Sequence, residues 1–519
     1  MEEDFSPTPD YDKHGWFLKS VVEILFKSVV FATNRDKVVL WKHPEELLKV
    51  FDFSLRQTGV AQDKLLTLIK NTIKYSVKTG HPYFVNQLFS GLDPYGLVGQ
   101  WITDALNASL YTYEVAPVFT LMESGVIREM CGMIGPDWKD GMFCPGGSNG
   151  NGIALNLARF RLNKNVKRTG MSQSPRLVLF TSEEAHYSIQ KFASFIGIGE
   201  DNVILVQTDK VGRMKPASLE ECIRNQIDFG ATPFAVVATL GTTVRGAFDP
   251  LYQISTVCNK YGLWLHVDAA WGGGLIFSQK HRAKLNGIET ANSIIINPHK
   301  LLAAPQQCSI LFVKDENILH ECHSKGAEYL FQKDKYYDQW YDPGDKYLQC
   351  GRKCDVFKFW LMWKAKGSSG FAKHVDSIMD VAEYFERQVL IRPEFQLVSK
   401  RQYINVCFWY LPRYLQKKKD VMDYSMQLHK VAAQIKAVMV KHGSIMLGYQ
   451  PLKEFPNFFR FVSQNSSLST RDVDFILDHI AEIGTGCLEE LPAFNAITEK
   501  YSFPEICSNG RMFNLKNLD

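Results

Sequence analysis

From residue 177 to residue 313 the chain repeats one pattern: a short run of apolar residues, then a longer stretch with helical periodicity. The apolar runs lie at 177–180, 203–206, 234–238, 263–267, 293–296 and 309–313. They are too short for helices and too continuously apolar for strands with one wet face. Such runs predict strands buried on both sides, connected by crossover helices, in the mostly parallel sheet of an α/β domain. Open sheets of this kind bind ligands beyond the carboxyl ends of their strands, so chemistry is to be sought in the residues that follow each run.

The rest of the 519 residues arranges itself around that core. Residues 1–15 have the character of a leader, 16 to about 80 follow a helical pattern, and 81–96 form a loop rich in Pro, Asn and Gly. After residue 365, amphipathic runs at 371–389, 422–441 and 470–483 flank strand-like segments at 403–410 and 458–463, which predicts a smaller α+β domain. The expected division is 1–93, 94–365, 366–490 and an irregular tail, 491–519. A net charge of +4 gives no reason to expect nucleic acid or an anionic membrane as partner. The eleven cysteines are scattered, with Cys350 and Cys354 the closest pair, so neither a disulfide framework nor a metal site is expected. The apolar stretch 16–31 is interrupted by Lys19, Glu23 and Lys27 and reads as an amphipathic helix, not a membrane span. Met1-Glu2-Glu3-Asp4 lacks the basic start of a secretory signal, and a cytoplasmic location is expected.

Five segments carry candidate chemistry, each just past a predicted strand or leading into a predicted helix. Asn297-Pro298-His299-Lys300 follows the run 293–296, and a lysine in a proline-shaped loop at a strand end is placed to form a Schiff base with an aldehyde cofactor. Upstream, Leu265-His266-Val267-Asp268-Ala269-Ala270 ends a strand in a carboxylate. Such an acid can keep the pyridine nitrogen of pyridoxal 5'-phosphate (PLP) protonated, and Ala270 is small enough for a flat ring to lie against it. Pro145-Gly146-Gly147-Ser148-Asn149-Gly150-Asn151-Gly152 reads as a glycine-rich turn before a helix at 153–162, a common cradle for phosphate. His186 follows the run 177–180 and can stack on a ring opposite Ala270. Thr242, in Thr239-Leu240-Gly241-Thr242-Thr243, adds a hydroxyl at another strand end. Each segment alone has an ordinary structural reading; their convergence on strand ends favours a PLP site.

With these residues the chain resembles the group II PLP-dependent decarboxylases, in particular the glutamate, cysteine sulfinate and acidic amino acid decarboxylase branch. The likeness runs from about Trp16 to Leu488. Its markers are His81-Pro82-Tyr83-Phe84-Val85-Asn86-Gln87-Leu88, Tyr113-Glu114-Val115-Ala116-Pro117-Val118-Phe119, Gly246-Ala247-Phe248-Asp249-Pro250, Asn297-Pro298-His299-Lys300, Gln349-Cys350-Gly351-Arg352 and Asn457-Phe458-Phe459-Arg460. The resemblance implies a fold-type-I homodimer with active sites shared between subunits. It implies Lys300 as the Schiff-base lysine, Asp268 at the ring nitrogen and His186 on the ring face. Ser148, Asn149, Thr242, Asn297 and His299 are then expected around the cofactor. Tyr337 matches a mobile-loop tyrosine that returns a proton. Arg460 matches the arginine that holds the substrate's distal acid, with Gln87 contributed by the neighbouring subunit.

Phe89 stands where glutamate decarboxylases carry a small polar residue, so a shorter acid is expected: cysteine sulfinate, cysteate or aspartate, giving hypotaurine, taurine or β-alanine, with a place in taurine biosynthesis. The alternatives are a glutamate decarboxylase making γ-aminobutyrate, another PLP reaction such as transamination, and a weakly active or non-catalytic dimeric homologue. The last is suggested by departures at Asn149, Gly150, Gly152, Leu240 and Pro305, of which Gly150 removes a hydroxyl expected near the phosphate.

Overall fold

A computed structural model describes residues 9–31, 37–55, 57–89, 91–172, 174–416, 424–453 and 455–488. The alternating region forms a seven-stranded sheet from β1 (Asp140–Cys144), β2 (Leu177–Ser182), β3 (Val203–Val206), β4 (Thr232–Thr239), β5 (Trp264–Asp268), β6 (Ser293–Ile296) and β7 (Ser309–Val313). Their spatial order is β1-β7-β6-β5-β4-β2-β3. The pairs from β6 through β5, β4 and β2 to β3 are parallel, whereas β7 runs antiparallel to both β6 and β1. All six predicted strands are present within two residues at each end. Their sequence explains their depth: every residue of β2, β5, β6 and β7 is buried, because helices cover both faces.

The Asp140–Cys144 strand was not foreseen, and three other expectations are corrected. The Gly-rich segment is not a loop: the helix it feeds begins at Gly147 and runs to Leu162. Glycine costs helix stability, yet these glycines are fixed by what lies against them. A Cβ at Gly152 would sit 2.5 Å from Cγ of Phe192, and one at Gly150 would sit 2.9 Å from Cγ1 of Ile295. The loop expected at 81–96 ends early, since a helix begins at Pro94 and runs to Leu106 with Asp93 capping Gly96 N–H. The N-terminal helical pattern is broken into Tyr11–Leu25, a π-helical turn Phe26–Val30, Pro44–Val50 and Gln62–Tyr75.

The helix Asp355–Ile391 links the two halves and kinks at Gly367, whose φ of 65° lies in the left-handed region. Before the kink it packs on the helix Pro94–Leu106, where Gly99 leaves room for Lys358. After it, Phe385 stacks on Phe461 at 3.9 Å over a second sheet. That sheet is antiparallel, ordered β10 (Gly448–Leu452), β11 (Phe455–Val462), β9 (Asn405–Tyr410), β8 (Phe395–Leu397). The expected tail, 491–519, lies outside the described residues. No helix among the described residues is long and apolar enough to cross a membrane.

Candidate active site

The carboxyl ends of β2, β4, β5 and β6 lie along one edge of the large sheet, as parallel pairing demands, and two antiparallel pairings through β7 bring the carboxyl end of β1 to the same edge. Because β7 is reversed, its amino end reaches the same edge. A cavity of about 250 Å³ opens there, lined among others by Gly146, Gly147, Ser148, His186, Asp268, Ala270, Asn297, His299 and Lys300. Residues from five separate candidate segments thus meet in one space. Asn151, Thr239, Gly241, Thr243, Gln306 and Gln307 also line it. The two glutamines arrive through the reversal of β7, which no local sequence signal announced.

Lys300 leaves the end of β6 in a loop tied by bonds from its own N–H to Asn297 O (2.9 Å) and from Ala304 N–H to Pro298 O (3.1 Å). Gln464, two residues after β11, donates to its carbonyl oxygen. Burial lowers the Lys300 amine from its ordinary value, opposed by the negative charge of Asp268. Asp268 ends β5; its Oδ1 accepts Ala270 N–H (3.0 Å) and its Oδ2 accepts Asn151 Nδ2–H (2.9 Å). His186 is also lowered, chiefly by burial, with Asp268 opposing. Its Nδ1 accepts Ser188 N–H at 3.2 Å and lies 2.8 Å from Ser188 Oγ, so in the neutral ring Nε2 bears the proton. His299 is pushed down to about 4 by burial, opposed by a hydrogen bond that its Nδ1–H donates to Cys308 O at 2.7 Å.

Three features suit a phosphorylated planar ligand. The helix Gly147–Leu162 has no side-chain cap at Gly146, so its first N–H groups and positive dipole end face the cavity. A Cβ at Gly147 would lie 2.7 Å from Asn297 Nδ2 and 3.3 Å from Ala270 Cβ, so only glycine keeps that cradle open. Asn297 Oδ1 is buried without a hydrogen-bond partner, in a residue only 3% exposed.

Other expected residues lie elsewhere. Thr242 does not line the cavity; its Oγ1 accepts Ala247 N–H (3.0 Å) and closes the turn after β4. Asn149 is not among the residues that line the cavity, although Ser148 beside it is. Gly150 faces Ile295 and Cys144 in the core, so a hydroxyl there would meet the sheet and not the cavity. Leu240 is fully buried, and Pro305 packs on Gly96. At Gly150, Gly152, Leu240 and Pro305 the departures are packing features. Tyr337 is also outside the wall: its hydroxyl donates to Asp342 Oδ1 (3.0 Å) and accepts from Lys335 Nζ (3.1 Å) and Glu114 N–H (3.2 Å). Gln87 is exposed, and the Phe89 ring rests 5.9 Å from that of Phe84. Arg460, on β11, donates to Thr243 O (2.9 Å) and Asn86 O (2.8 Å), while its Nε is buried without a partner.

A profile of the pyridoxal-dependent decarboxylase conserved domain matches residues 44–411. Human cysteine sulfinic acid decarboxylase is 51% identical over 450 residues, covering 86% of this chain and 91% of that protein. Acidic amino acid decarboxylase GADL1 of Xenopus tropicalis is 46% identical over 483 residues, covering 92% and 94%. The crystal structure of mouse CSAD matches with a TM-score of 0.88 at 46% identity, over 91% of this chain and 99% of that one. The architecture is that of PLP-dependent fold type I, and the cofactor of such a site is PLP. By its sheet, its cavity and its relatives, this chain belongs to the pyridoxal-dependent decarboxylases and is a PLP-dependent carboxy-lyase.

Proposed function

We propose that the chain decarboxylates a small acidic amino acid, with cysteine sulfinate, cysteate or aspartate preferred over glutamate. The observation that carries this reading is Arg460. Its guanidinium is largely buried, two of its nitrogens are spent on backbone carbonyls, one is unpaired, and among the described residues no carboxylate faces it. Burial lowers its pKa from the ordinary value, so this is a cation held at a cost. A substrate's distal acid would offset that cost, and Thr243, which Arg460 grips, lines the cavity. The relatives named for cysteine sulfinic acid and for acidic amino acids support the same class. The bulk of Phe89 beside Asn86 and Gln87 favours the shorter acids.

Bound PLP supplies an electron sink for the pair released when the α-carboxylate departs as carbon dioxide. The residues that would hold it are Lys300 at its aldehyde carbon, Asp268 at its ring nitrogen, His186 and Ala270 against its faces, and Gly147, Ser148, Asn297 and His299 around its phosphate. Asp268, fixed by two hydrogen bonds, would face the ring nitrogen and favour its protonated form. Burial lowers the pKa of the Lys300 amine, which favours the neutral form that can take a proton. Arg460, with Gln87 of a second copy, would orient the substrate so that the scissile bond stands off the ring plane.

Tyr337 would return the proton to Cα, which requires its hydroxyl to leave Asp342 and Lys335. A homodimer with shared sites fits the apolar surface left open by one chain: Tyr336 and Trp340, flanking Tyr337, are each 85% exposed, and Val98, Ile102 and Leu106 line one exposed helix face. Nine described cysteines are free, in keeping with a reducing, cytoplasmic setting.

The test is to incubate the PLP-loaded protein with cysteine sulfinate, cysteate, aspartate and glutamate and identify the amines. Arg460→Ala is expected to cost about 2–5 kcal/mol with these diacids. An equal loss with amino acids lacking a second acid would refute the role of Arg460.

A further inference from the structure

Behind Asp268 lies a chain of buried groups that the reading above leaves unused. Asn151, on the helix Gly147–Leu162, is 1% exposed, and His266, two residues before Asp268 on β5, is fully buried. The Asn151 amide is 2.9 Å from Asp268 Oδ2 at one end and 2.9 Å from His266 Nε2 at the other. A carboxylate oxygen only accepts, so the amide nitrogen must face Asp268 and the amide oxygen must face His266. His266 Nε2 therefore carries the proton, and its Nδ1 accepts from Ser293 Oγ at 2.9 Å. Ser293 Oγ in turn accepts Trp264 Nε1–H at 2.9 Å. The second amide hydrogen of Asn151 goes to Ser188 Oγ (3.0 Å), whose own hydroxyl is 2.8 Å from His186 Nδ1. All donors in the chain point one way, from Trp264 to the two groups that flank the ring site.

We propose that Asn151 is a positioning residue that fixes the Asp268 carboxylate and the His186 ring together, with His266 setting the direction of its amide. This deepens the reading of Asp268 and His186 as cofactor-facing groups and rests on it. An aspartate carboxyl rotates broadly about its last torsion. Ala270 N–H on one oxygen and Asn151 on the other hold its plane while leaving lone pairs on both for the ligand. Burial pushes His266 down to about 4, so its ring is neutral above that pH and the amide has no reason to turn over. Partners one step behind a ligand-holding residue commonly change affinity by about 10–100-fold when lost.

Asn151→Asp tests this with no change of shape. A protonated acid at 151 still donates to Asp268, whereas an ionised one repels it. The titratable groups that face this position are Asp268 and His266 from β5, His186 behind Ser188, and Lys300 beyond Asp268. PLP dissociation constants are measured by absorbance titration of the apo-protein from about pH 5.5 to about 8.5. The ratio of variant to native constant is expected to be within about threefold at the acid end and to rise at least tenfold toward the alkaline end. A ratio that stays flat overturns the proposal.

His266→Gln, which retains an N–H, is expected to bind PLP within about threefold of native, and His266→Leu at least tenfold more weakly; equal constants for the two also overturn it. Melting of each apo-protein reports folding separately. If Asp268→Asn leaves PLP affinity unchanged, the reading of Asp268 itself fails. If Asp268→Asn weakens binding while Asn151→Asp behaves as native at every pH, only the role of Asn151 fails.

Discussion

Gly150→Ser restores the hydroxyl that the family resemblance led one to expect near the phosphate, and the structure says it will harm the protein. A Cβ at this position would lie 2.9 Å from Cγ1 of Ile295, closer still to its Cδ1, and 3.4 Å from Cys144 Sγ. Carbons prefer separations of about 3.5–4.0 Å, so Ile295 must retreat by roughly 1 Å. Ile295 is fully buried in β6, two residues before Asn297. Overpacking of this kind costs about 1–3 kcal/mol, and replacing glycine in a helix returns about 0.5 kcal/mol. The net expectation is a loss of about 1–2 kcal/mol.

The urea midpoint of the apo-protein measures it, with PLP affinity titrated in parallel. Adding Ile295→Val, which removes Cδ1, should recover part of the loss and give a coupling of at least about 0.5 kcal/mol between the two sites. Tighter PLP binding by Gly150→Ser at an unchanged midpoint would show that position 150 faces the phosphate and that the packing argument is wrong.

Tyr337→Phe is expected to lower amine output and raise abortive transamination; product analysis showing unchanged partitioning would remove Tyr337 from the proton return. Phe89→Ser should raise the rate with glutamate relative to cysteine sulfinate by about 10–200-fold at most, the worth of one methylene in a pocket. A constant ratio would sink the pocket-size argument. His266 and His299 are both pushed down to about 4 by burial, so each is neutral in the fold but protonated below its ordinary 6.5 in the unfolded chain. The unfolded chain then binds more protons, and stability that is complete above pH 6.5 drains away as pH falls toward 4, each unit being about 1.4 kcal/mol per group. Urea midpoints measured between neutral and acid pH check this, and a flat profile would refute it.

The six strands of the large sheet were legible because continuous apolar runs of four or five residues have little else to become, and their ends pointed to Asp268, His186 and Lys300. Asp140–Cys144 was hidden, since Asp140-Gly141 reads as a turn and an edge strand needs no long apolar run. The helix start at Gly147 was hidden for the opposite reason. Glycine at 147, 150 and 152 argues against a helix locally, and only Asn297, Ile295 and Phe192, distant in sequence, explain why a side chain cannot stand there. Thr242 lies in a segment that reaches the site, but a segment does not fix which way a side chain points, and its hydroxyl closes a turn. Asn151 lies in the glycine-rich motif but carries no signal of its own, because its importance comes from His266 and Asp268, distant in sequence on β5. Gln306 and Gln307 depended on the direction of β7, a fact of pairing that no window of sequence contains.

That reversed strand has one more consequence. In a wholly parallel sheet the chain leaving β6 would depart through a crossover, and the amine of Lys300 would ride on a segment anchored at one side. Here Ile296 and Ile310 sit opposite each other in adjacent strands, so the stretch between them is a hoop with both feet planted in the same ladder. A hoop transmits displacement of either foot to its crown but resists drift, because each added residue loosens it only logarithmically. The reactive amine therefore owes its steadiness to β7, and fraying that begins at the short outer strand β1 has just one strand to cross before it reaches the chemistry.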